Sequence, residues 1–205
     1  MDQALEAHEQ VLIRAALASP FMKQLLVASA IAEGLAERGW DPLLIGDTAV
    51  SIHTQGGYLG KDLTMVLGSH PDVDEVMTRL GFQRKPNRWF HPDLNLFVPD
   101  QPSEIDLQAR IHEVLVEDSP VLVIAPEDAV IERLVLLRDT QDVKHGLTAL
   151  LIALSNELDA EYLMLQAYRA GIFEGLIGFR ELVAGFERGE APKRLDLELR
   201  LRDLF

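Results

Sequence analysis

Two neighbouring segments bring together groups that could bind phosphate and a metal ion. They lie in residues 45–67, IGDTAVSIHTQGGYLGKDLTMVL. A short apolar run ends at Gly46-Asp47, and a helical pattern begins at Thr48. A glycine at a strand end lets a ligand approach the backbone closely, and the free N–H groups of a following helix attract anions. Gly46, Asp47 and Thr48 are therefore candidates for binding phosphate groups.

The second segment contains Lys61 and Asp62, at the start of a strand predicted over residues 62–67. A carboxylate at that place can hold Mg²⁺ against phosphates. Side chains two residues apart on a strand point the same way, and two such carboxylates can hold a pair of metal ions for in-line attack at phosphorus. The second position is Thr64, which is neutral, so the sequence supplies only half of this pair.

Each of these residues also has a purely structural interpretation. An Asp just before a helix is a favoured N-cap, worth about 0.5–2 kcal/mol over Ala, and we expect Asp47 to be one rather than a metal ligand that compensates for Thr64. Asp62 is either a ligand or only the first residue of a strand, paired with a neighbouring cation. We expect Lys61, which is also a nucleotide-binding candidate, to be solvated rather than catalytic. We expect His53 to be a packed or surface residue rather than a base.

Positive charge is concentrated in residues 79–91, RLGFQRKPNRWFH. Its cationic residues are Arg79, Arg84, Lys85, Arg88 and His91. Such a group is usually a charged hairpin, and the alternative is a surface that faces nucleotide phosphates or RNA. Arg88 is the nucleotide-binding candidate of this group. We expect Trp89 and Phe90 to lie in the core rather than to serve as stacking platforms.

The composition limits the class of protein. The chain has 205 residues, 48% hydrophobic and 25% charged, as in globular proteins of one or two domains. The absence of cysteine excludes disulfides, thiolate zinc sites and cysteine nucleophiles. The net charge of −14 opposes non-specific binding to DNA or anionic lipid, so we expect no bulk nucleic-acid binding. The polar N-terminus and short apolar runs predict a cytoplasmic protein without a membrane span.

The remaining patterns predict the elements that position these residues. Two helices are expected over 3–18 and 20–38, with Pro20 in the first turn of the second. Further expected elements are strands at 43–45, 62–67 and 121–124, helices at 48–54 and 71–80, a hairpin-like region over 82–98 and a turn at 99–102. Residues 104–116 fit either a strand or a helix.

From Pro126 onward the pattern is helical, with helices expected at 126–139, 142–156, 159–170 and 173–188. The tail over 193–205 alternates at Leu195, Leu197, Leu199 and Leu201, which favours a strand or an amphipathic terminal arm. Such a row is exposed unless it pairs with a sheet edge or a partner chain. A homodimer is therefore one hypothesis for this segment, and packing within the chain is the other. The predicted domains are residues 1–125 and 126–205.

The order and spacing of these motifs resemble the nucleotidyltransferase superfamily, the DNA polymerase beta-like fold. The nearest likeness is to small bacterial nucleotidyltransferase-like proteins related to abortive-infection and toxin–antitoxin modules. The matching segments are IGDTAVSIH at 45–53, GGY at 56–58, GKDLT at 60–64, PEDAVIERL at 126–134 and Gln141-Asp142. The resemblance implies an α+β fold, in which a small mixed sheet forms the nucleotidyltransferase-like core beside N-terminal helices and a helical C-terminal part.

The chain departs from the family pattern at its catalytic site. Gly46-Asp47 replaces the family's Gly-Gly or Gly-Ser, which puts a carboxylate where triphosphate oxygens should lie. Thr64 replaces the second metal carboxylate, and the strand expected around 94–98 has no clear third one, since Asp93 and Asp106 lie off its register. Asp47 and Asp62 remain as the catalytic and metal-binding candidates, with Mg²⁺ as the implied cofactor.

These departures lead to three hypotheses about function. The first is a degenerate, non-catalytic binding or regulatory module in a toxin–antitoxin or defence setting, with nucleotide as a partner. The second is a divergent active enzyme that transfers a nucleoside monophosphate from a triphosphate to a protein or RNA. The third is a structural protein that forms oligomers without a ligand.

Overall fold

The computed structural model of the chain describes residues 2–68, 72–100 and 109–205. Within these ranges the fold is α+β, which confirms the expected fold class. The helices are α1 (Asp2–Leu17), α2 (Pro20–Ala36), α3 (Gly46–His53), α4 (Asp72–Arg79), α5 (Pro126–Thr140), α6 (Val143–Ser155), α7 (Ala160–Arg169), α8 (Phe173–Glu187) and α9 (Arg194–Arg202). The strands are β1 (Leu43–Leu44), β2 (Met65–Val66), β3 (Gln83–Lys85), β4 (Arg88–His91), β5 (Leu96–Pro99), β6 (Ile111–Val116) and β7 (Ser119–Ile124).

The chain divides into two compact units. The first comprises residues 1–52 and 59–124, and the second comprises residues 53–58 and 125–205. The short segment 53–58 thus belongs to the unit that contains the C-terminal helices. The two predicted domains, 1–125 and 126–205, stay a prediction.

The first unit is organised around α2. Ser19 caps this helix, because its hydroxyl accepts a hydrogen bond from the Met22 N–H, and Pro20 occupies the first helical turn as expected. Most of α2 is buried, including Val27, Ile31 and Leu35, each fully inaccessible. It packs against α1, α4, β6 and β7.

Two small sheets complete the first unit. The four-stranded sheet has the order β2-β1-β7-β6, with β1 parallel to β7 and the other pairs antiparallel. The three-stranded sheet is an antiparallel meander in the order β3-β4-β5. It is the hairpin-like region expected over 82–98.

Around the candidate site the elements differ from the predicted bounds. The strand expected over 62–67 is reduced to Met65–Val66, and Asp62 precedes it in a bend. The helix expected over 48–54 begins at Gly46, whose φ of +57° is a conformation that favours glycine. Asp47 therefore lies in the first turn of α3 rather than before the helix.

Part of the expected structure falls on residues that the structure leaves undescribed. These are residues 69–71 and 101–108, which include Pro71, Asp106 and the end of the turn expected at 99–102. The ambiguous stretch 104–116 is a strand over Ile111–Val116.

The second unit contains the four helices expected after Pro126, as α5 to α8. Pro126 opens α5, and Gln141 ends it in a left-handed conformation with φ +56°. Asp142 and Asp159 are the N-caps of α6 and α7, and their side chains accept hydrogen bonds from the N–H groups of Lys144 and Tyr162. The starts of α5, α6 and α7 each carry a proline or a capping aspartate, whereas α8 follows Ile172, which makes no side-chain cap.

The tail is a helix, so the strand interpretation of 193–205 is wrong. In α9, Leu197 and Leu201 are buried while Leu195 and Leu199 are 67% and 49% exposed. Residues four apart share a helical face, so the alternating leucines divide between two faces. No helix within the described ranges is long and apolar enough for a membrane crossing.

Candidate functional site

The start of α3 is bonded to the segment that carries Asp62. The backbone N–H of Ile45 donates to the carbonyl of Thr64 at 3.1 Å. The N–H of Thr64 donates to the hydroxyl oxygen of Thr48 at 2.7 Å. Thr48 is only 1% exposed. Its hydroxyl oxygen, proposed from the sequence to face phosphate, therefore accepts a hydrogen bond from the backbone of the protein.

Asp47 lies against the backbone of Gly60. A methyl group added at Gly60 would stand 2.5 Å from Asp47 Cβ and 3.2 Å from Asp47 Oδ2. The Ser51 hydroxyl joins the same two residues, since it donates to the Asp47 carbonyl at 2.9 Å and accepts from the Gly60 N–H at 3.4 Å. The buried Gln24 side chain donates to the Gly60 carbonyl at 2.8 Å. This packing holds Asp47 beside the segment 60–62.

The segment then reaches the second sheet. Lys61 is exposed, Asp62 is half-buried, and Leu63 is fully buried. The N–H of Leu63 donates to the carbonyl of Phe97 in β5 at 2.8 Å. The candidate residues of α3 and of the segment 61–64 are thus connected, through backbone, to the meander that carries Arg88.

One side of the meander presents polar and aromatic side chains, and we call it the outer face. Strand register places opposite residues on the same side of a sheet. Gln83 is opposite Phe90, Lys85 is opposite Arg88, and Phe90 is opposite Phe97. Arg88 is also opposite Pro99. The outer face therefore consists of Gln83, Lys85, Arg88, Phe90, Phe97 and Pro99. On the other side, Trp89, His91, Leu96 and Val98 are buried, and Arg84, opposite Trp89, is exposed.

Two stacked rings lie at the centre of the outer face. The Phe90 and Phe97 rings have centroids 4.6 Å apart with 28° between their planes. The Arg88 guanidinium lies 4.8 Å from the centroid of the Phe97 ring. Both rings are half-buried. The expectation of a core position is confirmed for Trp89, which is 3% exposed, and is wrong for Phe90.

The cationic residues of 79–91 differ in their partners. Arg84 forms a bidentate ion pair with Asp100, in which its two terminal nitrogens lie 2.6 and 2.7 Å from the two carboxylate oxygens. This hydrogen bonding raises the pKa of Arg84. Arg79 lies 3.6 Å from Glu37. Burial lowers the pKa of His91, against the opposing effects of Asp93 and the Leu80 backbone. Arg88, in contrast, is exposed and stacked on an aromatic ring.

The structure brings most of the predicted site residues together. Gly46, Asp47, Thr48, Lys61 and Asp62 belong to one connected region of the first unit, and Arg88 joins it through Phe97. His53 is packed as expected, at 8% exposure, and belongs with the GGY turn to the second unit. There its carbonyl accepts a hydrogen bond from Asn156 at 2.9 Å.

The sequence analysis gave no individual role to Gly60, Ser51 or Phe97. Gly60 and Ser51 lie within the matching segments 60–64 and 45–53, but the contact of Gly60 with Ser51 and Asp47 depends on two segments meeting. Phe97 had only a weak signal, as the middle residue of the short apolar run Leu96-Phe97-Val98.

The donor set fits a pair of metal ions poorly. Thr64 is neutral, and the β5 residue that bonds to Leu63 is the apolar Phe97, so neither position contributes a carboxylate. Asp47 and Asp62 are the carboxylates that could hold a single Mg²⁺. No group of three or more His, Cys, Asp or Glu suited to a metal ion occurs in the described part of the chain. Comparisons of the chain with protein-family models, curated proteins and solved structures found no match.

Proposed function

We propose that the chain is a degenerate nucleotidyltransferase-like protein, a non-catalytic binding or regulatory module acting in the cytoplasm in a toxin–antitoxin or defence setting. One observation carries this proposal. Thr64, where the family resemblance expects a second metal carboxylate, has its backbone N–H and carbonyl bonded to Thr48 and Ile45. The backbone of this segment is part of the hydrogen-bonded fold, but the second carboxylate that two-metal chemistry needs is absent. This combination is what we expect of a protein that has kept the fold and lost the reaction.

The ligand proposed for this region is a nucleotide. Lys61 is exposed beside Asp62, and the first turn of α3 adds the positive end of a helix. Asp47 opposes phosphate, because two unit charges about 4 Å apart repel by roughly 4 kcal/mol at an effective dielectric of 20. The proposed mode is therefore weak binding that a divalent ion at Asp47 and Asp62 strengthens.

A thermal-shift screen with nucleoside triphosphates, with and without Mg²⁺, tests this function. The expected result is nucleotide-dependent stabilisation that Asp62→Ala reduces, without turnover of labelled triphosphate. Asp93→Ala is the matched control, since it removes an exposed carboxylate of the neighbouring meander. Absence of any stabilisation would contradict nucleotide binding and favour the structural oligomer-former.

The second candidate function is a divergent active nucleotidyltransferase. It is favoured by the position of the Asp47 carboxylate against Gly60, two residues before Asp62. Labelled-nucleotide transfer to a protein or RNA, lost in Asp62→Ala, would support it. Thr64→Asp, with Thr64→Asn as its neutral control, restores the missing charge and should strengthen Mg²⁺-dependent stabilisation under either hypothesis.

A further inference from the structure

We propose that the outer face of the three-stranded meander binds single-stranded RNA. This inference goes beyond the nucleotide proposed at Asp47 and Asp62, and it stands on different residues. Its basis is a pair of partly exposed aromatic rings beside two cations, on an antiparallel sheet whose other side carries the buried Trp89, Leu96 and Val98.

The aromatic pair supplies the stacking surface. Phe90 and Phe97 lie on neighbouring strands, directly opposite one another, with nearly parallel rings. Both rings lie on the side of β4 and β5 that also carries Arg88, and both are partly exposed. Unstacked bases bind aromatic and guanidinium surfaces, and a sheet supports such a surface rigidly.

Arg88 extends that surface. Its guanidinium lies over the Phe97 ring, 4.8 Å from the centroid, which places a cation beside the aromatic pair where a phosphate would bind. Lys85, opposite Arg88 on β3, adds a second exposed cation and donates a hydrogen bond to Gln83 at 3.3 Å. Arg84 differs, because Asp100 already neutralises it.

The charge of this face is complementary to a phosphate backbone although the chain as a whole is acidic. Its six residues include two cations and no carboxylate. The net charge of −14 acts at long range and is screened by salt within about 10 Å at 0.1 M, whereas stacking is a contact interaction. A chain of this kind disfavours duplexes, which bring dense charge and no free base faces, and selects single strands.

The choice of RNA follows from the polar group beside the rings. Gln83 is exposed and lies opposite Phe90, and its oxygen accepts a hydrogen bond from Lys85, so its amide NH₂ group offers a donor next to a stacked nucleotide. The 2′-hydroxyl of RNA can accept a hydrogen bond from this donor, whereas DNA has no 2′-hydroxyl.

Fluorescence anisotropy of the full chain with a labelled, unstructured RNA of about ten nucleotides tests the proposal. Arg88→Gln and Phe97→Leu should each weaken binding at least about tenfold. Arg84→Gln is the matched control, because it removes the same charge from the same sheet at a residue already paired with Asp100, and it should change the affinity less than about twofold. Thermal unfolding of each variant shows whether it remains folded.

Four outcomes would overturn the proposal. They are no binding by the wild-type chain, equal losses for Arg84→Gln and Arg88→Gln, undiminished binding by a folded Phe97→Leu, and duplex RNA or single-stranded DNA of the same length bound as tightly as single-stranded RNA. Arg88 is exposed, so Arg88→Gln should fold and can still test the proposal if Phe97→Leu does not fold.

Discussion

The hydroxyl oxygen of Thr48 accepts a hydrogen bond from the backbone N–H of Thr64 at 2.7 Å, and this contact ties the start of α3 to the segment that carries Asp62. The carbonyl of Thr64 accepts the N–H of Ile45, so both backbone groups of one residue are bonded to the same strand–helix junction. Thr64 thus has a neutral side chain at the position where the family resemblance leads us to expect a carboxylate. Its two backbone hydrogen bonds hold the segment 61–64 against the start of α3.

Thr48→Val should destabilise the protein by about 1–3 kcal/mol, because it leaves the Thr64 N–H without its partner at a site that water reaches poorly. Thr48→Ser keeps the hydroxyl and loses one methyl group, so its cost should be near 1 kcal/mol. Urea unfolding of both variants measures the difference. Equal losses would show that the hydroxyl contributes nothing beyond packing.

Gly60→Ala should destabilise the first unit by about 1–3 kcal/mol. The new methyl group would stand 2.5 Å from Asp47 Cβ, so either α3 or the segment 60–62 must move. Gly185→Ala is the matched control in α8, where the nearest atom lies 3.8 Å away and alanine favours the helix by up to about 1 kcal/mol. Nucleotide-dependent stabilisation should fall in Gly60→Ala alone. A fully stable Gly60→Ala would contradict the close packing of Asp47.

The sequence predicted α5 to α8, because prolines, capping residues and helical periodicity are local signals, and the α+β class agrees with what the family resemblance implies. For the tail, the strand alternative was wrong and the amphipathic arm was the other alternative. A leucine at every second position fits a strand, and only packing selects the face with Leu197 and Leu201. The sequence identified the residues of the candidate site as separate segments, without showing which of them are in contact. The contact of Asp47 with Gly60 and the bond between Leu63 and Phe97 depend on segments meeting in space, which no local pattern encodes.

His91 should make the stability of the first unit fall on mild acidification. Burial lowers the pKa of His91 below its ordinary value of 6.5, more than Asp93 and the Leu80 backbone raise it. Between the folded pKa and about 6.5 the unfolded chain therefore binds more protons. The free energy of unfolding is unaffected by His91 above that window and decreases as the pH falls through it.

The measurement is urea unfolding between about pH 7.5 and 5 for the wild-type chain and His91→Asn. Asparagine can still accept the Leu94 N–H that bonds to His91 Nδ1 but does not titrate. The decrease should be smaller in the variant. Identical pH dependence would assign the effect to other groups.

The two faces of α9 should respond differently to truncation. Leu201 is fully buried and lies near Gly146 of α6, so Leu201→Ala should cost about 2–5 kcal/mol. Leu199 is 49% exposed, and Leu199→Ala should change stability by less than about 0.5 kcal/mol in the monomer. Urea unfolding at low protein concentration compares them. Similar costs would contradict the assignment of buried and exposed faces.

The homodimer hypothesis can be tested at the exposed face of α9. Leu195 and Leu199 lie four residues apart on one face, 67% and 49% exposed, and a second copy of the chain would cover them. Sedimentation of the wild-type chain should then show a concentration-dependent dimer, and Leu195→Lys with Leu199→Lys should shift it to monomer without lowering monomer stability. Ile177→Lys, at an exposed position of α8, is the control for a general loss of surface apolarity. A wild-type chain that stays monomeric at high concentration would contradict the homodimer and leave the two leucines as ordinary surface residues, which are common because folded proteins expose much apolar area.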